Sequence, residues 1–128
     1  MELKVISFNI RHCNDKDGNS VSERAPRLYE IISRYNPDVM GFQELRSNWE
    51  PYLEQYFGTE YDMFNKYRGG KEDPEAAPIF WRKDKFECIK NGYFWLSDTP
   101  ETMSRGWDEV YNCYRMCEYV ILREKQSG

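Results

Sequence analysis

Apolar residues come in short runs broken by polar turn residues, and the spacing within each run predicts the element. Leu3-Lys4-Val5-Ile6-Ser7-Phe8-Asn9 and Pro37-Asp38-Val39-Met40-Gly41-Phe42-Gln43-Glu44 read as strands. Between them, Leu28, Ile31, Ile32 and Tyr35 recur at helical spacing, predicting a helix from about Ser22 with Pro26 tolerated in its first turn. Asn36 accepts a left-handed cap and Pro37 cannot continue the ladder, so the helix ends there. The polar stretch Asn14–Ser20 is a turn region, and its Asp15-Lys16-Asp17-Gly18 fragment lacks the remaining oxygen ligands of a calcium loop. The result is a strand, a crossover helix and a second strand.

Downstream, Trp49, Tyr52, Leu53, Tyr56 and Phe57 form one face of a second helix. Gly69-Gly70-Lys71-Glu72-Asp73-Pro74 reads as a charged loop. Pro78-Ile79-Phe80-Trp81 and Lys90-Asn91-Gly92-Tyr93-Phe94-Trp95-Leu96 read as strands, and Asn112 to Leu122 as a further strand of the same sheet. The run Arg123-Glu124-Lys125-Gln126-Ser127-Gly128 is polar. This order predicts an α/β sandwich over residues 1–128, parallel in its first unit and antiparallel later.

Composition narrows the partners. With 40% hydrophobic and 16% aromatic residues the chain has enough apolar material for a core. A mean hydropathy of -0.88 leaves no bilayer-length apolar run, and the first strand begins without a signal-peptide pattern, so a soluble, cytoplasmic protein with no membrane partner is expected. The net charge of -4 does not favour nucleic acid, whose binders displace counterions with basic side chains. Cys13, Cys88, Cys113 and Cys117 are expected to be reduced thiols, because a chain of this size needs no disulfide framework. The Cys113–Cys117 spacing lacks a second ligand pair for zinc.

The candidate chemistry lies at Asn9 and Glu44, the ends of the first two strands. If those strands are parallel neighbours about 4.8 Å apart, both side chains share the crevice outside the carboxyl ends, where ligands bind in open α/β sheets. An amide and a carboxylate suit a magnesium-like ion, which takes hard oxygen ligands and few of them from protein. The alternative is a turn asparagine beside a solvated strand-end carboxylate.

Five segments, in this order, resemble the endonuclease/exonuclease/phosphatase superfamily. They are Val5–Arg11, Asn36–Glu44, Pro78–Glu87, Gly92–Glu101 and Gly106-Trp107-Asp108, and the nearest likeness is to its bacterial deadenylase-like branch. The resemblance implies the N-terminal half of a DNase I-like α/β sandwich, with one mixed sheet and two flanking helices. It also implies phosphoester hydrolysis with Mg2+ or Mn2+, Glu44 as metal anchor and Asn9 coordinating or orienting the same assembly. Glu75 matches an acidic metal-side position, or is a surface-loop carboxylate. Arg115 matches an arginine that pairs with phosphate, or is an exposed strand residue.

Members of that superfamily are longer, and their catalytic histidines and aspartate-asparagine pair lie in a second half with no counterpart here. His12 matches none of them. A chain truncated in this way is expected to be inactive alone; alternatives are an assembly module and a non-catalytic α/β domain. The expected partners are a phosphorylated substrate, a small phosphoester rather than nucleic acid, and a second-half polypeptide or a second copy.

Overall fold

The computed structural model describes residues 1–107 and 109–127. Asp108 of the Gly-Trp-Asp element and the terminal Gly128 lie outside the described residues. In chain order the elements are β1 (Val5–Asn9), α1 (Val21–Tyr35), β2 (Val39–Gln43), a 3-10 turn (Ser47–Trp49), α2 (Glu50–Phe57), β3 (Tyr61–Phe64), β4 (Tyr67–Gly69), β5 (Asp73–Ala76), β6 (Ile79–Arg82), β7 (Phe86–Trp95) and β8 (Met116–Glu124).

Helix α1 starts slightly earlier than its periodicity suggests, because Ser20 and Glu23 close a capping box. The Ser20 hydroxyl accepts from the Glu23 N–H at 3.3 Å, and the Glu23 carboxylate accepts from the Ser20 N–H at 3.1 Å. Pro26 therefore falls in the second turn, where the carbonyl of the exposed Ser22 loses its helical donor to an interior proline. The other end is as expected: Asn36 is left-handed at φ 45°, and its N–H closes on the Ile32 carbonyl at 2.9 Å. The buried stripe runs through Val21, Ala25, Leu28 and Ile32. Ile31 and Tyr35, expected in that stripe, lie on its flank and are 40% and 62% exposed.

The main sheet has the order β1-β2-β6-β3. Strands β1 and β2 are parallel, in a register running from Val5 opposite Val39 to Asn9 opposite Gln43. Strand β6 is antiparallel to both β2 and β3. Met40, Phe42 and Phe80 project from one face onto Leu28, Ile32, Trp49, Leu53 and Phe57, forming the hydrophobic core. Phe42 and Phe57 meet with tilted rings 6.0 Å apart, and Phe42 and Phe80 at 5.4 Å, which adds directional contact to area burial.

Two expectations are corrected. The strands do not all join one mixed sheet: β7 pairs along its length with β8, and β4 with β5, as two separate hairpins. The segment from Gly69 to Pro74, read as a loop, closes the β4-β5 hairpin, with Glu72 N–H donating to the Gly69 carbonyl at 3.2 Å. A Cβ at Gly69 would stand 2.5 Å from Asp73 Cβ and 2.6 Å from the Tyr114 ring, so glycine is what lets this hairpin seat against the chain before β8. All four cysteines are free. Among the described residues no helix is long and apolar enough to cross a membrane.

The β7-β8 hairpin is tied to the strand β4 region by two long-range hydrogen bonds. Trp95 Nε1 donates to the Arg68 carbonyl at 2.7 Å, and the Lys66 N–H donates to Glu118 Oε1 at 2.5 Å. Burial pushes the Glu118 carboxyl up to about 8, against the opposing pull of the Lys66 N–H. The folded chain therefore holds this proton more tightly than the unfolded one. The resulting stability is fully present below the ordinary value of 4.5 and is lost progressively as pH rises to about 8. Urea denaturation at a series of pH values should show that decline in the wild type, and the difference between wild type and Glu118→Gln should track it. A pH-independent difference would contradict this account.

Candidate functional site

Asn9 ends β1, and Glu44 follows the last residue of β2. The Asn9 amide oxygen accepts from the Arg11 N–H at 2.9 Å, which turns the amide nitrogen toward Glu44 Oε1 at 3.2 Å. The second carboxylate oxygen, Oε2, accepts from the His12 N–H at 3.3 Å. The structure thus joins the two residues directly, with Asn9 orienting the carboxylate. Glu44 itself has a left-handed backbone at φ 62°. That conformation costs a non-glycine residue about 1–2 kcal/mol, and it persists here because hydrogen bonds hold the side chain at both oxygens.

Burial works against the Glu44 charge, but hydrogen bonds from Asn9 and the His12 N–H, with the positive field of Arg11, outweigh it. The carboxyl is held below its ordinary range and stays ionised at neutral pH.

The loop that presents the His12 N–H is braced from three directions. Arg24, on α1, donates to the carbonyls of Ile10 at 2.5 Å, Arg11 at 3.1 Å and Cys13. Asn48 Nδ2 donates to the His12 carbonyl at 2.8 Å, and Trp49 Nε1 to that of Arg11 at 2.9 Å. The Arg24 guanidinium also lies 5.3 Å from the centre of the Trp49 ring. Sequence reasoning missed Arg24 and Asn48 and read Trp49 as core alone. The His12 ring turns aside to Cys13 Sγ at 3.1 Å, so it is the main chain of this residue that serves the site.

Asn9, Glu44, Glu75 and Arg115 line one cavity of about 290 Å³, together with Arg68, which sequence reasoning also missed. Glu75 is not a surface-loop residue: it lies on β5 with its side chain 16% exposed and Arg68 Nη2 at 3.3 Å. Arg68 is anchored in turn by Asp73, with Nε at 2.7 Å. Reciprocal hydrogen bonds between Leu45 and Ala76, at 3.0 and 2.9 Å, lay the segment after Glu44 against the one carrying Glu75. Arg115 enters beside β8, where its carbonyl accepts from the Leu96 N–H at 2.8 Å.

Among the described residues no three His, Cys, Asp or Glu side chains converge as a cage. Magnesium does not require one: it binds through one or two carboxylates and fills its octahedron with water and phosphate oxygens. An ionised Glu44 and Glu75 in the same cavity match that pattern of oxygen ligands, while the two arginines at its wall suit phosphate oxygens rather than the ion.

Residues 6–112 match the Endonuclease/Exonuclease/phosphatase family. The chain belongs to this family. Among solved structures of the family, an endonuclease/exonuclease/phosphatase from Bacteroides vulgatus is 33% identical, with a TM-score of 0.87 over 98% of this chain and 48% of its own. The mannosyl-6-phosphatase of Bacteroides thetaiotaomicron is 33% identical, with a TM-score of 0.86 over 99% of this chain and 48% of its own. TDP2 from D. rerio, solved with a single-stranded DNA product, shares the fold at 21% identity and a TM-score of 0.69, over 96% of this chain and 41% of its own. An uncharacterized protein of Acanthamoeba polyphaga mimivirus is 29% identical over 140 residues, 98% of this chain and 50% of that protein. The chain thus spans about half the length of the two Bacteroides proteins and of the mimivirus protein.

Arg24→Ala leaves loop carbonyls without donors and removes the contact with Trp49, and should destabilise the fold by about 2–3 kcal/mol in urea denaturation. Arg24→Lys, which keeps the charge but cannot span the same carbonyls, should recover less than half of that loss. Full recovery by lysine would show that charge alone matters.

Proposed function

We propose that this chain supplies the metal-anchoring part of a phosphoester hydrolase dependent on Mg2+ or Mn2+. In this reading Glu44 anchors the ion, Asn9 orients Glu44, Glu75 contributes a second carboxylate and Arg115 pairs with the phosphate. A divalent ion bound there neutralises charge on phosphate oxygens and lowers the pKa of water. The residues of this chain hold the carboxylate charged, fix its direction and place guanidinium groups at the wall. The observation that carries the reading is an ionised Glu44 sharing one cavity with Glu75, Arg68 and Arg115. Family membership and the phosphatase description of a relative 33% identical support it. A net charge of -4 favours a small phosphoester over nucleic acid.

The general acid and base would come from the length of the relatives that this chain does not span. Each such group contributes about 10²- to 10⁴-fold, so the chain alone should turn over an activated phosphodiester near background. Metal binding is the sharper test. Titration with Mn2+, followed by electron paramagnetic resonance, should saturate with the wild type. Glu44→Gln should abolish saturation, and Asn9→Ala should weaken binding by about 10-fold through loss of carboxylate orientation. Equal Mn2+ affinity in all three proteins would defeat the proposal.

A second reading, that the chain assembles with a separately made second half or with its own copy, is favoured by the sheet edge. Strand β1 ends the order of the sheet, with Val5 62% exposed. Sedimentation across a concentration series should then show association, and a monomer at every concentration would count against self-pairing.

A further inference from the structure

Of the four tryptophans, Trp49, Trp81 and Trp95 are 1%, 5% and 5% exposed, whereas Trp107 is 65% exposed. A large aromatic side chain in water is not placed there by core packing, and Trp107 is also held in a defined pose. Its Nε1 donates to Asp98 Oδ1 at 2.9 Å, which fixes the indole by its edge. The loop beneath it is ordered by main-chain pairing: Gly106 N–H donates to the Cys113 carbonyl at 3.1 Å, and Arg105 bridges Tyr114.

This loop rests on the phosphate side of the candidate site. A Cβ at Gly106 would stand 3.3 Å from Arg115 Cγ and 3.3 Å from the Leu96 carbonyl, so the residue before Trp107 packs directly on Arg115, and Arg115 lines the cavity that holds Glu44 and Glu75. Glycine permits that close approach. Trp107 itself does not line that cavity; it stands one residue along the chain from the Gly106–Arg115 contact, a solvent-facing indole held by Asp98.

We infer that Trp107 is a stacking platform for the ring of a small organic phosphate whose phosphoryl group sits at Arg115. The inference rests on the phosphoester reading and adds to it the substrate's shape: a ring joined to the phosphate by a short linkage. Both a hexose and a nucleobase present a face that an indole can cover. The platform explains how a chain of net charge -4 can select a phosphoester, since the ring supplies contact that charge does not.

The exposure pattern makes Trp107 the residue that acrylamide quenches, because the other tryptophans are shielded. In the presence of Mg2+, mannose 6-phosphate or adenosine 5′-monophosphate should protect the emission from acrylamide, and inorganic phosphate should not. The protecting ligand should bind about 10-fold more tightly than inorganic phosphate, the worth of one stacked ring. Trp107→Ala should erase that advantage while leaving phosphate affinity unchanged, and Trp107→Phe should restore part of it. Protection by the hexose phosphate alone assigns a sugar, and by the nucleotide alone a base. If neither ring ligand protects or gains affinity while phosphate still binds, the platform is overturned and the phosphate site stands. If phosphate fails to bind, or binds equally to Arg115→Ala and Glu44→Gln, the phosphoester reading falls and the platform falls with it.

Discussion

The parallel pairing of β1 with β2 is the constraint from which the site follows. Its register places Asn9 opposite Gln43, so Glu44 is the first residue beyond the paired stretch. There the backbone turns left-handed, and the carboxylate folds back onto the Asn9 amide and the His12 N–H. A shift by a single position would send these side chains to opposite faces of the sheet. The buried residues Met40 and Phe42 prevent that shift, because they would leave the core together. Core packing on one face therefore sets polar geometry at the strand ends.

The surrounding shell consists largely of side chains that satisfy main-chain groups. Arg24, Asn48 and Trp49 hold four consecutive carbonyls of the loop after β1, those of Ile10, Arg11, His12 and Cys13, and the result is the placement of one N–H at Glu44. On the other side of the cavity, Arg68 is paired with both Asp73 and Glu75. These pairs are mostly withheld from water, so their geometry is stricter than that of surface ion pairs and they hold the carboxylates at defined positions. The two halves of the wall are joined by the Leu45–Ala76 bridge rather than by the main sheet. The β7-β8 hairpin, tied to Lys66 and Arg68, brings in Arg115 and the loop bearing Trp107.

Amino-acid order alone carried the first unit well. The helical spacing of Leu28 and Ile32, the stop at Asn36-Pro37 and the apolar runs on either side specify a strand, a helix and a parallel strand, since these signals are local. Asn9 and Glu44 were legible for the same reason: each closes a strand whose periodicity is visible, and a right-handed crossover leaves little freedom in where their ends meet. What escaped was non-local. Strands β3, β4 and β5 are three or four residues long and contain Asp62, Arg68, Gly69, Asp73 and Pro74, which carry no strand signal until a partner supplies the ladder. Arg24 resembles any exposed helix residue until the three carbonyls it reaches are in place.

The sequence by itself determined the α/β class, the parallel start and the identity of the amide and carboxylate, because periodicity, caps and chain-crossover handedness act within a few residues or through one fixed connection. The tertiary structure decided which donors hold Glu44 ionised, that Glu75 is strand-borne and paired with Arg68, and that the late strands form a hairpin outside the main sheet. Those outcomes depend on contacts between residues far apart in the chain, where burial and hydrogen-bond competition, rather than local preference, set the energy.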